Sequence, residues 1–108
     1  MKDMFKSLGP LGASFAKQYK KMMEELQKVE EELAQQRIEA SAGGGMVKAV
    51  VSGRGELLEI KIAPEVVDPN DIEMLQDLIV AAVREALEEA EKKRAEALSQ
   101  FTGGILPF

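Results

Sequence analysis

Six cations fall in two tight groups in this chain: Lys17, Lys20 and Lys21, then Lys92, Lys93 and Arg94. Clustered lysine and arginine neutralise phosphate oxygens, which positions a polyanion without reading its sequence. The same groups can also be solvated helix faces, with i,i+4 pairs such as Glu88 to Lys92 and Glu89 to Lys93. Other chemistry is closed off by residue type. The 108 residues include no His and no Cys. Imidazole general bases, Ser-His-Asp triads, thiolate nucleophiles, disulfides and His- or Cys-based metal sites are therefore excluded. Asp68, Asp71, Glu73 and Asp77 could suggest a hard-cation site, but helix capping and dipole compensation explain them more simply. Gly43, Gly44 and Gly45 have no Lys-Ser or Lys-Thr after them and no following helix, so they read as a turn. No catalytic residue, metal, cofactor or small-molecule substrate is expected.

The charge is unevenly placed. The net charge is −5, which taken alone argues against non-specific polyanion binding. Yet residues 1–21 carry five lysines against Asp3 alone, while residues 63–108 carry four bases against ten acids. Three of those four bases are consecutive. The chain has two basic spots in an acidic background. It is 45% hydrophobic and 31% charged, as a single soluble globular domain should be. No apolar run reaches the roughly 18 to 20 residues of a membrane span. The start lacks the basic-then-apolar order of a secretory signal. A small cytosolic, non-enzymatic domain is the expectation.

The elements that position these groups follow from periodicity. Residues 1–13 read as a flexible leader, interrupted by Gly9, Pro10 and Gly12. Ser14 is a candidate cap. Phe15, Tyr19, Met22, Leu26, Val29 and Leu33 recur at steps of 4, 3, 4, 3 and 4, the seam of one helix over about 14–37. Tyr19, Met22 and Leu26 are packing residues of that seam. The Met22-Met23 pair could also serve as an adaptable binding surface. Short alternating runs follow at Ile38–Ala42, Met46–Ser52 and Leu58–Ile62, predicting three antiparallel strands. The glycines of Gly53-Arg54-Gly55 both offer positive φ to the intervening turn. Asp68 can cap a second helix, with Pro69 at its first position. Ile72, Leu75, Ile79, Ala82 and Ala86 form the stripe of that helix, widened by Leu78, Val83, Leu87 and Ala90, and it should run to about Leu98. Leu75 and Ile79 are again packing positions. Residues 99–108 read as an apolar tail whose glycines and proline break helix geometry.

The fold class is therefore α+β, in the order α-β-β-β-α. Helices of this length overshoot a three-stranded sheet by about 20 Å each. Their apolar stripes and the open sheet edges have one common solution, a homodimer. If the helices pack antiparallel, the start of the first lies beside the end of the second. Lys17, Lys20 and Lys21 then meet Lys92, Lys93 and Arg94 at one basic tip, with Glu24, Glu25, Glu30, Glu31 and Glu32 nearer the sheet.

An ordered set of motifs resembles one family. It runs through Gly43-Gly44-Gly45-Met46-Val47-Lys48, Ser52-Gly53-Arg54-Gly55-Glu56, Ile60-Lys61-Ile62 and Pro64-Glu65-Val66-Val67-Asp68-Pro69. It continues in Glu73-Met74-Leu75-Gln76-Asp77-Leu78-Ile79 and Ala81-Ala82-Val83. Lys17-Gln18, Met22-Met23, Gln27 and the Gly103-Gly104 to Pro107-Phe108 ending add to it. On these residues the chain resembles the YbaB/EbfC family of bacterial nucleoid-associated proteins. The resemblance implies an α-β-β-β-α dimer with projecting helical prongs in the cytoplasm and nucleoid. It further implies binding of double-stranded DNA through the helices, with weak sequence preference and altered DNA conformation. The glycine-poorer leader and the acid-rich end of the first helix depart from the family pattern.

Two functions compete. The first is a DNA-binding homodimer whose contact is electrostatic, because nothing here resembles a base-reading recognition helix. The second is a holdase-like or adaptor module gripping protein partners with its prongs, an idea kept open by the apolar tail. Steep loss of DNA affinity with salt separates them.

Overall fold

The computed structural model describes residues 9–102. Helix α1 spans Gly9–Gln35. It begins five residues before the start expected from sequence, and Ser14 lies inside it instead of capping it. Pro10 falls in the first turn, where its missing N–H leaves no helical bond unmade. Residues 9–13 of the expected leader are therefore helical, and residues 1–8 lie outside the described residues. One residue, Gln36, separates α1 from strand β1, Arg37–Ala42. The Gln36 N–H closes the helix by donating to the Leu33 carbonyl at 3.2 Å.

Strands β2, Val47–Ser52, and β3, Leu57–Ile62, complete an antiparallel sheet in the order β1-β2-β3. The glycine turn between β1 and β2 holds three successive positive φ values, 64°, 68° and 89°. That conformation strains any residue with a Cβ. The β2–β3 turn corrects the expectation. Only Gly55 has positive φ there. Gly53 is needed for close approach: a Cβ on it would stand 2.7 Å from the Leu33 carbonyl oxygen. Buried Ser52 organises the same turn, its Oγ accepting from the N–H groups of Arg54 and Glu56, each at 3.2 Å.

A 3₁₀ turn, Pro64–Val66, leads to helix α2, Ile72–Thr102. Asp71 caps it, its Oδ1 accepting from the Met74 N–H at 3.1 Å. Asp68, the expected cap, instead holds the preceding turn by accepting from the Asn70 N–H at 2.9 Å. The helix continues four residues past the expected end at Leu98. The expected tail 99–108 thus begins as helix, and residues 103–108 lie outside the described residues.

Ala82, Ala86 and Ala90 are buried at successive turns of α2 and let the helix lie close against the sheet. They meet Ile38, Val47, Ala49, Val51 and Val66, with Leu75, Leu78, Ile79 and Val83 half-buried around them. The helix lies across β1 and β2 and has few contacts with β3. The opposite face of the sheet is charged. Arg37 reaches across β2 to Glu59 at 2.8 Å, Lys48 lies 3.7 Å from Glu39, and Lys61 lies 4.0 Å from Glu59. Val50 is buried on that face, between the strands these charges span.

The molecule measures 72 × 26 × 19 Å, with a radius of gyration of 21.3 Å. A compact domain of this length has about 13 Å. The excess comes from α1, which meets α2 and β2 only sparingly.

Candidate nucleic-acid interface

Helix α1 separates its apolar and basic side chains by angle. At about 100° per residue, Phe15, Tyr19, Met22, Leu26, Val29 and Leu33 share an arc of about 80°. Lys17, Lys20, Lys21 and Lys28 lie roughly 120° to 160° from the centre of that arc. The seam therefore faces one way and the lysines the other. Along the axis the charge also changes. The outer half carries Lys17, Lys20 and Lys21, and the inner half carries Glu24, Glu25, Glu30, Glu31 and Glu32. The first turn of the helix contains no acid to offset its positive dipole end.

Burial along the seam follows distance from the sheet. Leu33 is buried, Leu26 and Val29 are half-buried, and Tyr19 and Met22 are about half exposed, at 52% and 46%. Leu26 is thus partly covered while Tyr19 and Met22 project. Leu75 and Ile79 are half-buried against the sheet core.

The six cations do not come together within the chain. Arg94 Nη2 donates to Glu30 Oε1 at 2.9 Å. This places the second basic group level with the inner part of α1. Lys21 and Lys17 lie nine and thirteen residues further out, about 14 to 20 Å along the axis. The expectation of a single merged tip is therefore corrected. It needed the helices to end together, whereas α2 lies on the sheet as far as Ala90 and has less length left to project. Among the described residues, Lys17, Lys20, Lys21, Lys92 and Lys93 make no ion pair, while Arg94 is engaged by Glu30.

Sequence reasoning also missed two features. One is the joint at which Glu30 meets both Arg94 and Arg54, the latter with Nε 3.8 Å from Glu30 Oε2. Its members lie far apart in the chain, so no local spacing reveals them. The other is an uncovered apolar flank beside β3. Leu57, Leu58 and Ile62 on β3, with Val80 and Leu87 on α2, remain exposed. The alternation in β3 signalled one buried face but not that only Ile60 of it would pack on the core, with Leu58 and Ile62 left exposed.

No group of three or more His, Cys, Asp or Glu among the described residues could hold a metal ion. No helix among them is long and apolar enough to cross a membrane. The groove between β1 and α2 is open and lined by both signs of charge, including Arg37, Glu39, Glu85, Glu89 and Lys93. The fold thus defines a small α+β protein from which one long helix projects, with a lysine-bearing face on its outer half.

Residues 11–105 match the YbaB/EbfC DNA-binding family. A nucleoid-associated protein of Thermoanaerobacter pseudethanolicus is 53% identical over 89 residues, covering 82% of this chain and 80% of that protein. A nucleoid-associated protein of Acetivibrio thermocellus is 51% identical over 92 residues, covering 85% and 81%. The crystal structure of an uncharacterised protein from Helicobacter pylori superposes with a TM-score of 0.74 at 23% identity, over 82% of this chain and 92% of that one. This last likeness concerns the fold alone. The chain belongs to the YbaB/EbfC DNA-binding family.

Proposed function

We propose that this protein is a homodimeric, nucleoid-associated DNA-binding protein that grips duplex DNA with the outer half of α1. The observation that carries the reading is the row of lysines, Lys17, Lys20 and Lys21, without an ion pair among the described residues, on the outer face of a projecting helix. Lys92 and Lys93 are secondary contacts, and Arg94 serves the joint before it serves DNA. Binding is electrostatic and weakly sequence-selective, because lysines on phosphates carry no base information. Two prongs on one duplex favour DNA shapes that satisfy both, which alters DNA conformation and through it gene expression. The protein then works in the cytoplasm, on the nucleoid, without catalysing a reaction.

Dimerisation is supported by apolar surface left over in the protomer. The exposed seam at Phe15, Tyr19 and Met22, with Met23 beside it, and the flank of Leu57, Leu58, Ile62, Val80 and Leu87 both leave large side chains in water. Patches of this kind mark protein interfaces. A second copy covers them while leaving the lysine face of α1 outward.

The test is fluorescence anisotropy of a labelled duplex at three salt concentrations, with dimer mass checked by light scattering. Three lysines on each of two prongs give about six phosphate contacts, hence a slope of log K against log salt near −5. Affinity then falls about 10³-fold between 50 and 200 mM salt. The Lys17→Glu, Lys20→Glu, Lys21→Glu variant should lose most of that slope and most of the binding. Lys92→Glu with Lys93→Glu should lose less. No binding by the unaltered protein at low salt refutes the DNA reading. Client protection without salt dependence would favour the holdase instead.

A further inference from the structure

We propose that Glu30 is the positioning residue of the prong, fixing the direction in which α1 leaves the body. This goes beyond the DNA reading and holds whether or not the prong meets DNA.

The argument is mechanical. Helix α1 is tied to the sheet by Gln36 and by a backbone bond, Gly53 N–H to the Leu33 carbonyl at 2.9 Å. A rod held at one end can still tilt about that end. Half-buried Leu26 and Val29 add apolar contact on the rod, but such contact is non-directional, and a polar tie to a different element is what fixes the angle. Glu30, one turn outward from Leu33, supplies it. Its Oε1 accepts from Arg94 on α2 at 2.9 Å, and its Oε2 lies 3.8 Å from Arg54 Nε on the β2–β3 turn. One carboxylate thus joins α1 to two elements along two different lines. The Glu30 side chain is 27% exposed, so solvent screens these pairs less than pairs in open water.

The lever is long. Lys17 lies sixteen residues from Leu33, about 24 Å along the helix, so each 10° of tilt moves it by about 4 Å. Arg54 is shared, with Nε also 3.8 Å from Glu56 Oε1. Loss of Glu30 leaves Arg54 with that neighbouring partner and removes the one ion-pair partner Arg94 has among the described residues.

Distance measurement tests this directly, because the chain contains no Cys to compete with introduced labels. Gln18→Cys and Glu65→Cys are spin-labelled, diluted with excess unlabelled full-length chain, and measured by pulsed EPR without DNA. With Glu30 present the separation should be narrow. Glu30→Gln, which keeps the volume and removes the charge, should at least double the width of the distribution, and Arg94→Gln should do the same. Glu56→Gln should leave it unchanged. Circular dichroism of Glu30→Gln should show the normal helix content, separating a loose prong from an unfolded one. An unchanged distribution in Glu30→Gln overturns the proposal, as does equal broadening in Glu56→Gln. If Glu30→Gln does not fold, the unsubstituted labelled chain in 1 M NaCl decides. Screening should then broaden the distribution, and a narrow one overturns the assignment.

Discussion

Replacing Gly53 by Ala probes the contact on which the base of α1 rests. The φ of Gly53 is not in the left-handed region, so Ala meets no conformational strain there. Fewer unfolded states would by itself favour Ala by about 0.4 to 1 kcal/mol. Space opposes it. The new methyl would stand 2.7 Å from the Leu33 carbonyl oxygen, 3.0 Å from Gln36 Oε1 and 3.1 Å from Leu33 Cα. Two of these atoms are backbone in the last turn of α1 and cannot rotate aside. Overpacking of this kind costs about 1 to 3 kcal/mol. Separating the elements also weakens the Gly53 to Leu33 hydrogen bond, worth about 0.5 to 1.5 kcal/mol. The net expectation is a loss of about 2 kcal/mol, a fall in Tm of roughly 8 to 16 °C for a domain this size. Gly44 provides the contrast. It has φ +68° but open space around it, so Gly44→Ala should cost about 1 kcal/mol through backbone strain alone. Urea unfolding followed by circular dichroism, at one fixed protein concentration, measures both. If Gly53→Ala is no less stable than Gly44→Ala, the close-approach reasoning fails.

Further outcomes follow from the second helix. Asp71→Ala should destabilise by about 1 kcal/mol through loss of the N-cap, while Asp68→Ala, which removes only a turn bond, should cost less in the same unfolding assay. Ala86→Leu should destabilise by about 1 to 3 kcal/mol, because Ala86 is fully buried where α2 lies on the sheet. The same Ala-to-Leu change at exposed Ala81 should stay within about 0.5 kcal/mol of the parent. Thermal melts of the pair check the contrast.

These cases show where the chain's own text was legible. The period of α2 and the alternation of the strands exposed the α-β-β-β-α order, because each depends only on neighbours three, four or two residues away. The start of α1 is not legible, because Gly and Pro punctuate most helices but are tolerated in a first turn. Asp68 and Asp71 both precede α2 with capping chemistry, and only backbone geometry selects between them. Gly53 and Gly55 look alike as turn glycines, yet one needs positive φ and the other needs absence of a side chain. The lysine clusters were legible as charge but not as geometry. Whether Arg94 stands beside Lys17 or beside Glu30 depends on how much of α2 the sheet occupies, and no spacing encodes that length.

The charge order along α1 has a consequence for approach. A rod that is positive at its outer end and negative toward its base is an electric dipole many ångströms long. In the field of any polyanion it experiences a torque before it experiences contact, and it turns its outer end forward. The acidic body is repelled at the same time and trails behind. Orientation is thereby selected during diffusion, and side-on encounters are disfavoured.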